Sequence, residues 1–320
     1  MSQTKRALIC GISGQDGGYL ARLLLNNGYE VFGTSRDAQA NSFQNLKLLG
    51  IFDRVKNLSM AVNDFRSVLS VIKAVQPNEI YNLGGQTSVG LSFELPVETV
   101  ESIDVGTLNI LEAIRFTSSE IRFYNAGSSE CFGNTGNLKA VETTPFSPKS
   151  PYAVAKCAAH WHVTSYRDSY GLFACNGILF NHESCLRPSR FVTMKIVNGA
   201  KLIAEGKQKQ LELGNIEIIR DWGWAPEYVT AMWLMLQAES PEDYVISTGE
   251  SHSLREFIVK VFEYFNLDWK NNVISNPDLI RPNEVMASYS FPFKAKQKLG
   301  WEAKHGLVDI VEFMAKGQAC

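Results

Sequence analysis

The chain has 320 residues, 45% of them hydrophobic and 20% charged, with a formal net charge of -2. This length is typical of one large α/β unit with a smaller lobe, and the charge balance lacks the basic excess that a nucleic-acid partner requires. Scattered cysteines without a Cys-x-x-Cys pair predict reduced thiols and a cytoplasmic location. An apolar strand close to the first residue leaves no room for a signal peptide, and no apolar window is long enough to span a membrane. The cysteines are Cys10, Cys131, Cys157, Cys175, Cys185 and Cys320.

Short apolar runs alternate with helical patterns through the first half of the chain. The predicted strands lie at 6–10, 30–33, 79–83, 121–125 and 173–181, and the predicted helices at 18–26, 68–75, 99–116 and 152–170. Such alternation predicts right-handed crossovers and a parallel sheet with helices on both faces. The sequence therefore predicts a Rossmann-type doubly wound α/β fold.

The alternation is less regular beyond Asn181. Helices are predicted at 191–204 and 228–238 and a strand at 211–213, and Ser253 with Glu256 forms a capping-box pattern. We expect a Rossmann-type domain of residues 1–180 plus about 214–243. A smaller α/β lobe would comprise about 181–213 plus 244–320.

A glycine-rich turn, Gly11-Ile-Ser-Gly14-Gln-Asp-Gly17, joins the first strand to the first helix. Backbone amides and the positive end of the helix dipole bind a pyrophosphate at such a turn. Three glycines also occur in turns without a ligand, but the position after an N-terminal strand favours a dinucleotide site.

Arg36 and Asp37 follow the second predicted strand, where the ribose of a dinucleotide is bound. Arg36 favours NADP because an arginine can hold the 2′-phosphate. Asp37 would favour NAD if its side chain faced the ribose instead. Asp64, after a third strand that would lie between those at 30–33 and 79–83, is placed either to accept a hydrogen bond from adenine or to be an exposed turn residue.

Tyr152 and Lys156 are four residues apart in a predicted helix and therefore share one face. A free tyrosine titrates near pH 10, so Tyr152 can act as a base only if Lys156 and an oxidised nicotinamide lower its pKa to about 7. Ser128, Ser129 and Glu130 follow the strand at 121–125, whose carboxyl end would lie beside the cofactor. A hydroxyl could polarise a sugar oxygen while Tyr152 takes its proton, and Glu130 could abstract a carbon-bound proton. The alternatives are a surface Tyr–Lys pair and serines that cap a turn.

The chain resembles the extended short-chain dehydrogenase/reductases along its whole length, and within them the GDP-mannose 4,6-dehydratase family. The resemblance rests on motifs at residues 11–17 (GISGQDG), 82–86 (NLGGQ), 92–97 (SFELPV), 150–156 (SPYAVAK), 176–184 (NGILFNHES), 220–223 (RDWG) and 294–301 (KAKQKLGW). It implies oxidation of a GDP-sugar at carbon 4, loss of water across carbons 5 and 6, and return of the hydride to carbon 6. The catalytic residues implied are Ser128 in place of the usual threonine, Ser129, Glu130 as the base at carbon 5, Tyr152 and Lys156.

The resemblance also implies an NADP-binding Rossmann domain, a GDP-sugar-binding lobe and a homodimer or homotetramer, with no metal. NAD is the alternative cofactor. The implied cofactor contacts are Gly11, Gly14, Gln15, Asp16, Gly17, Arg36, Asp64, Leu83, Gly84, Gly85, Gln86, Tyr152, Lys156, His182 and Arg187. The implied substrate contacts are Asn181, Lys195, Arg220, Arg281 and Glu284. Without the resemblance, His182 is equally well interpreted as a hydrogen-bonded core histidine and the cations as solvated surface charges.

The chain departs from the family pattern at several positions. Leu186 and Met194 stand where arginines are usual, Pro188 replaces a glycine, Asp37 replaces an arginine and Trp224 a histidine. A lost charge-assisted contact is worth roughly 1.5–3 kcal/mol, enough to change specificity. A GDP-heptose or another nucleotide sugar therefore stays open as the substrate. A 4-keto nucleotide-sugar reductase or epimerase also stays open as the activity, although such an enzyme would not need Glu130. A non-catalytic NADP-binding regulator is a further alternative, but it would not need Tyr152 and Lys156.

Overall fold

The computed structural model describes residues 4–317, so Cys320 lies outside the described residues. Strands and helices alternate along this range, and none of its helices is both long and apolar enough to cross a membrane. The strands are β1 (Arg6–Cys10), β2 (Glu30–Ser35), β3 (Lys56–Ser59), β4 (Glu79–Asn82), β5 (Arg122–Ala126), β6 (Lys139–Ala140), β7 (Ala174–Leu179), β8 (Asn181–Glu183), β9 (Leu211–Leu213), β10 (Ile219–Arg220), β11 (Trp222–Trp224), β12 (Tyr244–Ile246), β13 (His252–Ser253), β14 (Val273–Ser275) and β15 (Tyr289–Ser290). The helices are α1 (Gln15–Asn26), α2 (Gln44–Leu48), α3 (Phe65–Val75), α4 (Val89–Glu94), α5 (Pro96–Val100), α6 (Gly106–Thr117), α7 (Pro151–Tyr170), α8 (Val192–Ala204), α9 (Ala225–Gln237), α10 (Leu254–Tyr264), α11 (Trp269–Asn272) and α12 (Leu307–Lys316).

The main sheet is parallel throughout, in the order β12-β7-β5-β4-β1-β2-β3. Successive residues of β1 face opposite sides of it, as the pleat requires. Ala7 and Ile9 belong to the core formed with α1 and α9, whereas Leu8 and Cys10 belong to the core formed with α3 and α6. Helices therefore cover both faces, which explains why the strand is apolar without alternation. The predicted Rossmann-type doubly wound α/β fold is confirmed.

Two strands of this sheet had no predicted residue range: β3, implied as the third strand before Asp64, and β12, which was not predicted. The edge strand β3 is mostly polar, and β12 has only three residues, so neither carries a periodic apolar pattern. Strand β12 pairs with β7 and therefore extends the main sheet past residue 243, where the sequence placed a domain boundary. We propose that the Rossmann domain continues to Ile246. We also propose that β10 and β11, which the sequence placed in that domain, belong to the smaller lobe, because Ile218, Trp222 and Trp224 pack in its core.

Helix positions agree with the sequence pattern, and the differences have simple causes. Helix α1 begins at Gln15, earlier than the predicted residue 18. The prediction began too late because Gly17 and Gly18, which have low helix propensity, weaken the helical pattern of the first turn. The predicted helix at 99–116 is α5 and α6 joined through a π-helical segment, Glu101–Val105. The capping box of Ser253 and Glu256 is present at the start of α10.

The smaller lobe has its own apolar core, to which α8, α10 and α12 contribute Ile196, Phe257 and Ile310 among others. Strand β9 pairs with β14 beside it. The lobe joins the main sheet through the pairing of β8 with β11 and through Asp221, a buried carboxylate between β10 and β11. Asp221 accepts hydrogen bonds from the backbone and hydroxyl of Thr248 at 3.0 and 2.8 Å and from other donors nearby. These contacts place the lobe over the carboxyl ends of the strands.

Candidate active site

A solvent-open cleft of about 1150 Å³ lies at the carboxyl ends of β4, β5 and β7, beneath the smaller lobe. Open parallel sheets bind their ligands at this edge. Among the predicted site residues, those that line the cleft are Asp16, Leu83, Ser128, Ser129, Glu130, Tyr152, Lys156, Asn181, His182, Arg187, Arg220 and Arg281. Those that do not line it are Gly11, Gly14, Gln15, Gly17, Arg36, Asp64, Gly84, Gly85, Gln86, Lys195 and Glu284.

The glycine turn between β1 and α1 has a structural need for its glycines. Gly11 has φ +83°, and a Cβ on it would lie 2.7 Å from the carbonyl oxygen of Leu83. A Cβ on Gly17 would lie 2.5 Å from the carbonyl oxygen of Gly11. Gly14 is the N-cap of α1 and supplies no side-chain acceptor to the first amides of the helix. Those amides can therefore bind an anion.

Asp16 and His182 form a hydrogen-bonded pair where α1 meets β8. The Oδ2 of Asp16 lies 2.8 Å from Nε2 of His182, whose ring stacks on Tyr228 at 4.6 Å. Burial alone would lower the pKa of His182, but the charge and hydrogen bond of Asp16 outweigh it and raise that pKa. Burial opposes ionisation of Asp16 too, yet His182 lowers its pKa overall. Gln15 braces the pair through its amide, which donates to Asp16 at 3.0 Å and to the His182 carbonyl at 3.2 Å.

Arg36, Asp37 and Asp64, the residues after β2 and β3 that the sequence placed near a cofactor ribose or adenine, have different surroundings. Arg36 is 77% exposed and forms an ion pair with Glu98 at 3.2 Å. Asp37 turns back into its own loop, where Oδ1 accepts from the amides of Gln39 and Ala40 at 2.9 and 3.1 Å. Asp64 is the N-cap of α3 and accepts from an amide at 2.9 Å. In this structure Asp64 therefore has the role of the exposed turn residue that sequence reasoning offered as its alternative.

The loop after β4 positions Leu83 at the cleft. Gly85 has φ +117°, a conformation that other residues rarely adopt. Gln86 donates from its side chain to the Ser88 carbonyl at 2.8 Å and to Thr99 Oγ1 at 3.2 Å, which ties the loop to α5. Gly84 and Gln86 thus shape the wall without lining the cleft.

Tyr152 and Lys156 lie side by side on the buried face of α7. Lys156 Nζ donates to the carbonyl of Ala126 at 2.7 Å and lies 5.8 Å from the centroid of the Tyr152 ring. Burial lowers the pKa of Lys156 to about 8. Burial raises the pKa of Tyr152, and a hydrogen bond with Ser128 only partly opposes this. The protein alone therefore does not supply the lowered tyrosine pKa that catalysis as a base requires.

Ser128 has two roles in the structure. Its Oγ accepts from the backbone amide of Glu130 at 3.2 Å, so it caps the short 3₁₀ turn Ser129–Phe132, as the alternative interpretation held. The same hydroxyl also acts to lower the pKa of Tyr152, and Ser128 and Tyr152 both line the cleft. Capping thus fixes the serine beside the phenol, and Ser129 is buried next to it.

Glu130 extends into the cleft and meets cations from the smaller lobe. Arg220 Nε lies 4.0 Å from Glu130 Oε1. The pKa of Arg220 is lowered, mainly by burial and also by the positive charge of Arg281. The negative charges of Glu130 and Glu284 act in the opposite direction. Oε2 of Glu284 is buried without a hydrogen-bond partner. A second, small cavity connects these four residues, so Glu284 is close to the cleft although it does not line it.

The remaining predicted contacts differ in how well they reach the cleft. Arg187 lines it, pairs with Glu183 at 3.1 Å and stacks on Phe191 at 3.9 Å. Asn181 lines it from β8. Lys195 donates to the carbonyl of Glu212 at 2.7 Å instead of pointing into the cleft.

The departures from the family pattern lie mostly away from the cleft. Leu186 is buried in the core beside α1, Met194 in the core of the smaller lobe, and Trp224 packs on Phe313 at 4.9 Å. None of these side chains lines the cleft, so the expectation that they directly change a ligand contact finds no support in the geometry.

Sequence reasoning missed several cleft residues. Arg190 and Phe191 line the cleft next to Arg187, and Trp222 and Ser88 lie on its walls. A signal for Arg190 was present, since it follows Arg187 by three residues in the segment before α8. No group of three His, Cys, Asp or Glu side chains within residues 4–317 is arranged to hold a metal ion.

The parallel sheet, the glycine turn and the Ser–Tyr–Lys cluster define a short-chain dehydrogenase/reductase of the extended type. The family profile described as GDP-mannose 4,6 dehydratase matches residues 8–314, and the chain belongs to this family. It is 45% identical to GDP-mannose 4,6 dehydratase 1 of Arabidopsis thaliana over 97% of this chain and 88% of the relative. It is 43% identical to GDP-mannose 4,6-dehydratase of Vibrio cholerae, over 93% and 89% of the two chains. Among solved structures, the UDP-glucose 4-epimerase of Thermus thermophilus in complex with NAD superposes with a TM-score of 0.85 at 25% identity, covering 98% of both chains.

Proposed function

We propose that this protein is a GDP-mannose 4,6-dehydratase that converts GDP-D-mannose to GDP-4-keto-6-deoxy-D-mannose. The observation that carries the proposal is the convergence of Glu130 with Tyr152 and Lys156 on one cleft. A hydride-transferring enzyme needs only the hydroxyl, tyrosine and lysine, whereas removal of water needs a further acid/base group. Membership of the dehydratase family supports the same conclusion.

The cofactor proposed is NADP, with NAD as the alternative. The amides at the start of α1 lack a side-chain cap and are placed to hold a pyrophosphate. Arg36 is exposed after β2, while Asp37 is bound within its own loop, so the arginine is the side chain free to meet a 2′-phosphate. Its ion pair with Glu98 is exposed and therefore weak, so a phosphate can replace it. When bound, the oxidised nicotinamide would supply a hydride acceptor and a positive charge beside Tyr152.

Tyr152 would remove the proton from the hydroxyl at carbon 4 of the sugar. Ser128 would hold that oxygen, since it lines the cleft together with Tyr152. Lys156, fixed by the Ala126 carbonyl, would stabilise the phenolate through its charge. Because burial opposes ionisation of Tyr152, proton removal would depend on these positive charges.

Glu130 would act as the acid/base for loss of water. A ketone at carbon 4 makes the proton at carbon 5 acidic, and the carboxylate would abstract it and protonate the departing hydroxyl of carbon 6. As the hydride taken from carbon 4 returned to carbon 6, a solvent proton delivered through Glu130 would restore carbon 5 and complete the product. Arg220, at 4.0 Å, balances the negative charge of Glu130 in a buried setting. The pair would thereby hold the Glu130 side chain in place inside the cleft.

The GDP part of the substrate would lie towards the smaller lobe. Arg220 and Arg281 line that side of the cleft, and guanidinium groups can hold a diphosphate with two hydrogen bonds each. Asn181 and the unpartnered Oε2 of Glu284 are candidates for ribose and base contacts. Lys195 would have to leave the Glu212 carbonyl to join them.

We also propose a cytoplasmic homodimer or homotetramer. The expected reduced state suits a reducing compartment, and four of the cysteines are free thiols: Cys10, Cys131, Cys157 and Cys175. Apolar side chains are exposed on α5 and α7, where Val97 is 69%, Val154 52% and Trp161 60% exposed. The composition of this surface suits burial against another copy.

The test is incubation of the purified protein with GDP-mannose and NADP⁺, with the sugar nucleotide followed by mass spectrometry. We expect a product lighter by one water from the wild type and none from Glu130→Gln. Cofactor binding by Glu130→Gln, measured by fluorescence titration, serves as the control for folding. Reduction of a 4-keto sugar without loss of water would favour a reductase and overturn the dehydratase assignment.

A further inference from the structure

Two cysteines lie in contact immediately beside the reacting groups. Cys131 directly follows Glu130 in the 3₁₀ turn, and Cys157 directly follows Lys156 in α7. Sγ of Cys157 lies 4.0 Å from the carbonyl oxygen of Cys131, and Sγ of Cys131 lies 3.9 Å from the carbonyl oxygen of Ala153, one helical turn before Cys157. The two thiols also shift each other's pKa, that of Cys131 upwards and that of Cys157 downwards. The turn and the helix therefore meet at this pair of sulfurs.

The two thiols have unequal environments. Cys131 is 1% exposed, whereas Cys157 is half-buried. The hydrogen bond with Cys131 lowers the pKa of Cys157 despite its partial burial. The same hydrogen bond and burial raise the pKa of Cys131. Thiolate character and access decide which cysteine an oxidant attacks, so Cys157 would react first and Cys131 would resolve the product.

We propose that Cys131 and Cys157 are a modification site, at which hydrogen peroxide produces an intramolecular disulfide that stops turnover. The Cys157 thiolate attacks one peroxide oxygen, so an S–O bond forms, the O–O bond breaks and the leaving hydroxide is protonated to water. Cys131 sulfur then attacks the sulfenic sulfur, so the S–S bond forms and the S–O bond breaks with release of a second water. The two thiols together lose two electrons and two protons, and peroxide is reduced to two waters.

The bond would disturb catalysis because of what precedes each cysteine. A disulfide brings two sulfurs to about 2.05 Å, well inside non-bonded contact, so the turn and α7 must approach each other. Glu130 and Lys156 are the adjacent residues, and their contacts with Arg220 at 4.0 Å and with the Ala126 carbonyl at 2.7 Å would change. A displacement of about 1 Å in an active site can lower the rate roughly 10²-fold.

Other buried cysteines are poor competitors. Cys10 and Cys175 are fully buried, and burial raises the pKa of both thiols, that of Cys10 to about 12. Buried thiols of this kind are inert. Hydrogen peroxide is scarcely larger than water, so the half-buried thiol of Cys157 is within its reach.

The test treats the full chain with hydrogen peroxide in the presence of NADP⁺, blocks remaining thiols with iodoacetamide and maps the peptides by mass spectrometry. We expect a peptide pair linked through Cys131 and Cys157, two hydrogens lighter than the reduced pair, and at least a tenfold loss of turnover that dithiothreitol restores. Cys157→Ser should keep its turnover under the same treatment, while Cys185→Ser should respond like the wild type. Thermal unfolding of each variant checks that it is folded.

Absence of the linked peptides, or full turnover by the linked protein, would overturn the proposal. The effect on turnover rests on the proposed function, but the peptide map does not. A protein that does not act on GDP-mannose would still reveal whether the disulfide forms. The two failures are therefore distinguishable.

Discussion

Arg220 and Glu130 form an ion pair inside the cleft, with Nε of the arginine 4.0 Å from Oε1 of the carboxylate. They are far apart in the sequence, and the arginine is contributed by β10 of the smaller lobe while the carboxylate follows β5 of the main sheet. The proposed base of the reaction thus depends on the docking of the two lobes. Arg220 is 4% exposed, so little solvent screens the pair.

The first prediction concerns this pair. Arg220→Gln should lower kcat by about 10²-fold, because removing one partner of a buried pair leaves the other charge uncompensated, at a cost of roughly 3–5 kcal/mol. Arg190→Gln is the matched control, since Arg190 lines the same cleft but stacks on Phe191 at 5.1 Å. Steady-state kinetics of both variants measure the difference. Equal losses in kcat would mean that the cleft needs positive charge in general and not this pair.

The second prediction follows from the buried lysine. Burial lowers the pKa of Lys156 from 10.5 to about 8, so the folded state binds fewer protons than the unfolded state between these values. Stability contributed by this group therefore rises with pH across that window, and near neutral pH the buried charge is a cost of at most about 3 kcal/mol. Lys156→Met should abolish turnover and raise the free energy of unfolding near neutral pH, with a smaller gain above about pH 9. Urea unfolding at the two pH values tests this, and a destabilised Lys156→Met at both would contradict it.

The third prediction concerns the junction of α1 with β8. Asp16 raises the pKa of His182 above 6.5, so the stability from this histidine is present below pH 6.5 and is lost as pH rises through the raised value. The lowered pKa of Asp16 contributes stability above pH 3.8 that is lost as pH falls through the lowered value. His182→Gln should therefore cost more stability near pH 6 than near pH 9, by about 1 kcal/mol. Chemical denaturation without cofactor is the measurement, and an effect that does not vary with pH would exclude the ion pair as its cause.

The fourth prediction separates NADP from NAD. Arg36→Ala should weaken NADP⁺ binding by at least about tenfold and leave NAD⁺ binding nearly unchanged, since the lost contact is a charge-assisted bond of roughly 1.5–3 kcal/mol. Asp37→Ala is the neighbouring control and should change the preference little, because its carboxylate binds two amides of its own loop. Fluorescence titration with each cofactor measures both. Equal weakening of NAD⁺ binding by Arg36→Ala would argue against a 2′-phosphate contact.

The sequence was sufficient for the parts of the fold that depend on local patterns. The apolar run of β1, the glycine turn and the spacing of Tyr152 and Lys156 each occur within a few residues, so their periodicity can be read directly. Strand β12 could not be predicted, because it has only three residues and forms a strand only by pairing with β7. Pairing partners distant in sequence leave no such local pattern.

The direction of side chains in irregular segments could not be predicted from the sequence either. Leu186 and Arg190 belong to the same irregular segment, yet Leu186 packs beneath α1 and Arg190 lines the cleft. No helical or strand period applies there, so the sequence does not show which one faces the ligand. Tertiary packing decides it, as it does for the meeting of Glu130 with Arg220.

The most direct test of the proposed reaction follows the hydrogen on carbon 4. GDP-mannose deuterated at that carbon should yield a 4-keto-6-deoxy product with the deuterium on carbon 6, because one tightly held cofactor receives and returns it within the same cleft. Carbon 5 should take its hydrogen from the solvent, delivered through Glu130. In a separate reaction of unlabelled GDP-mannose in heavy water, nuclear magnetic resonance should therefore find deuterium on carbon 5. Deuterium lost to the cofactor pool, or a carbon 6 that keeps its hydroxyl, would contradict the account.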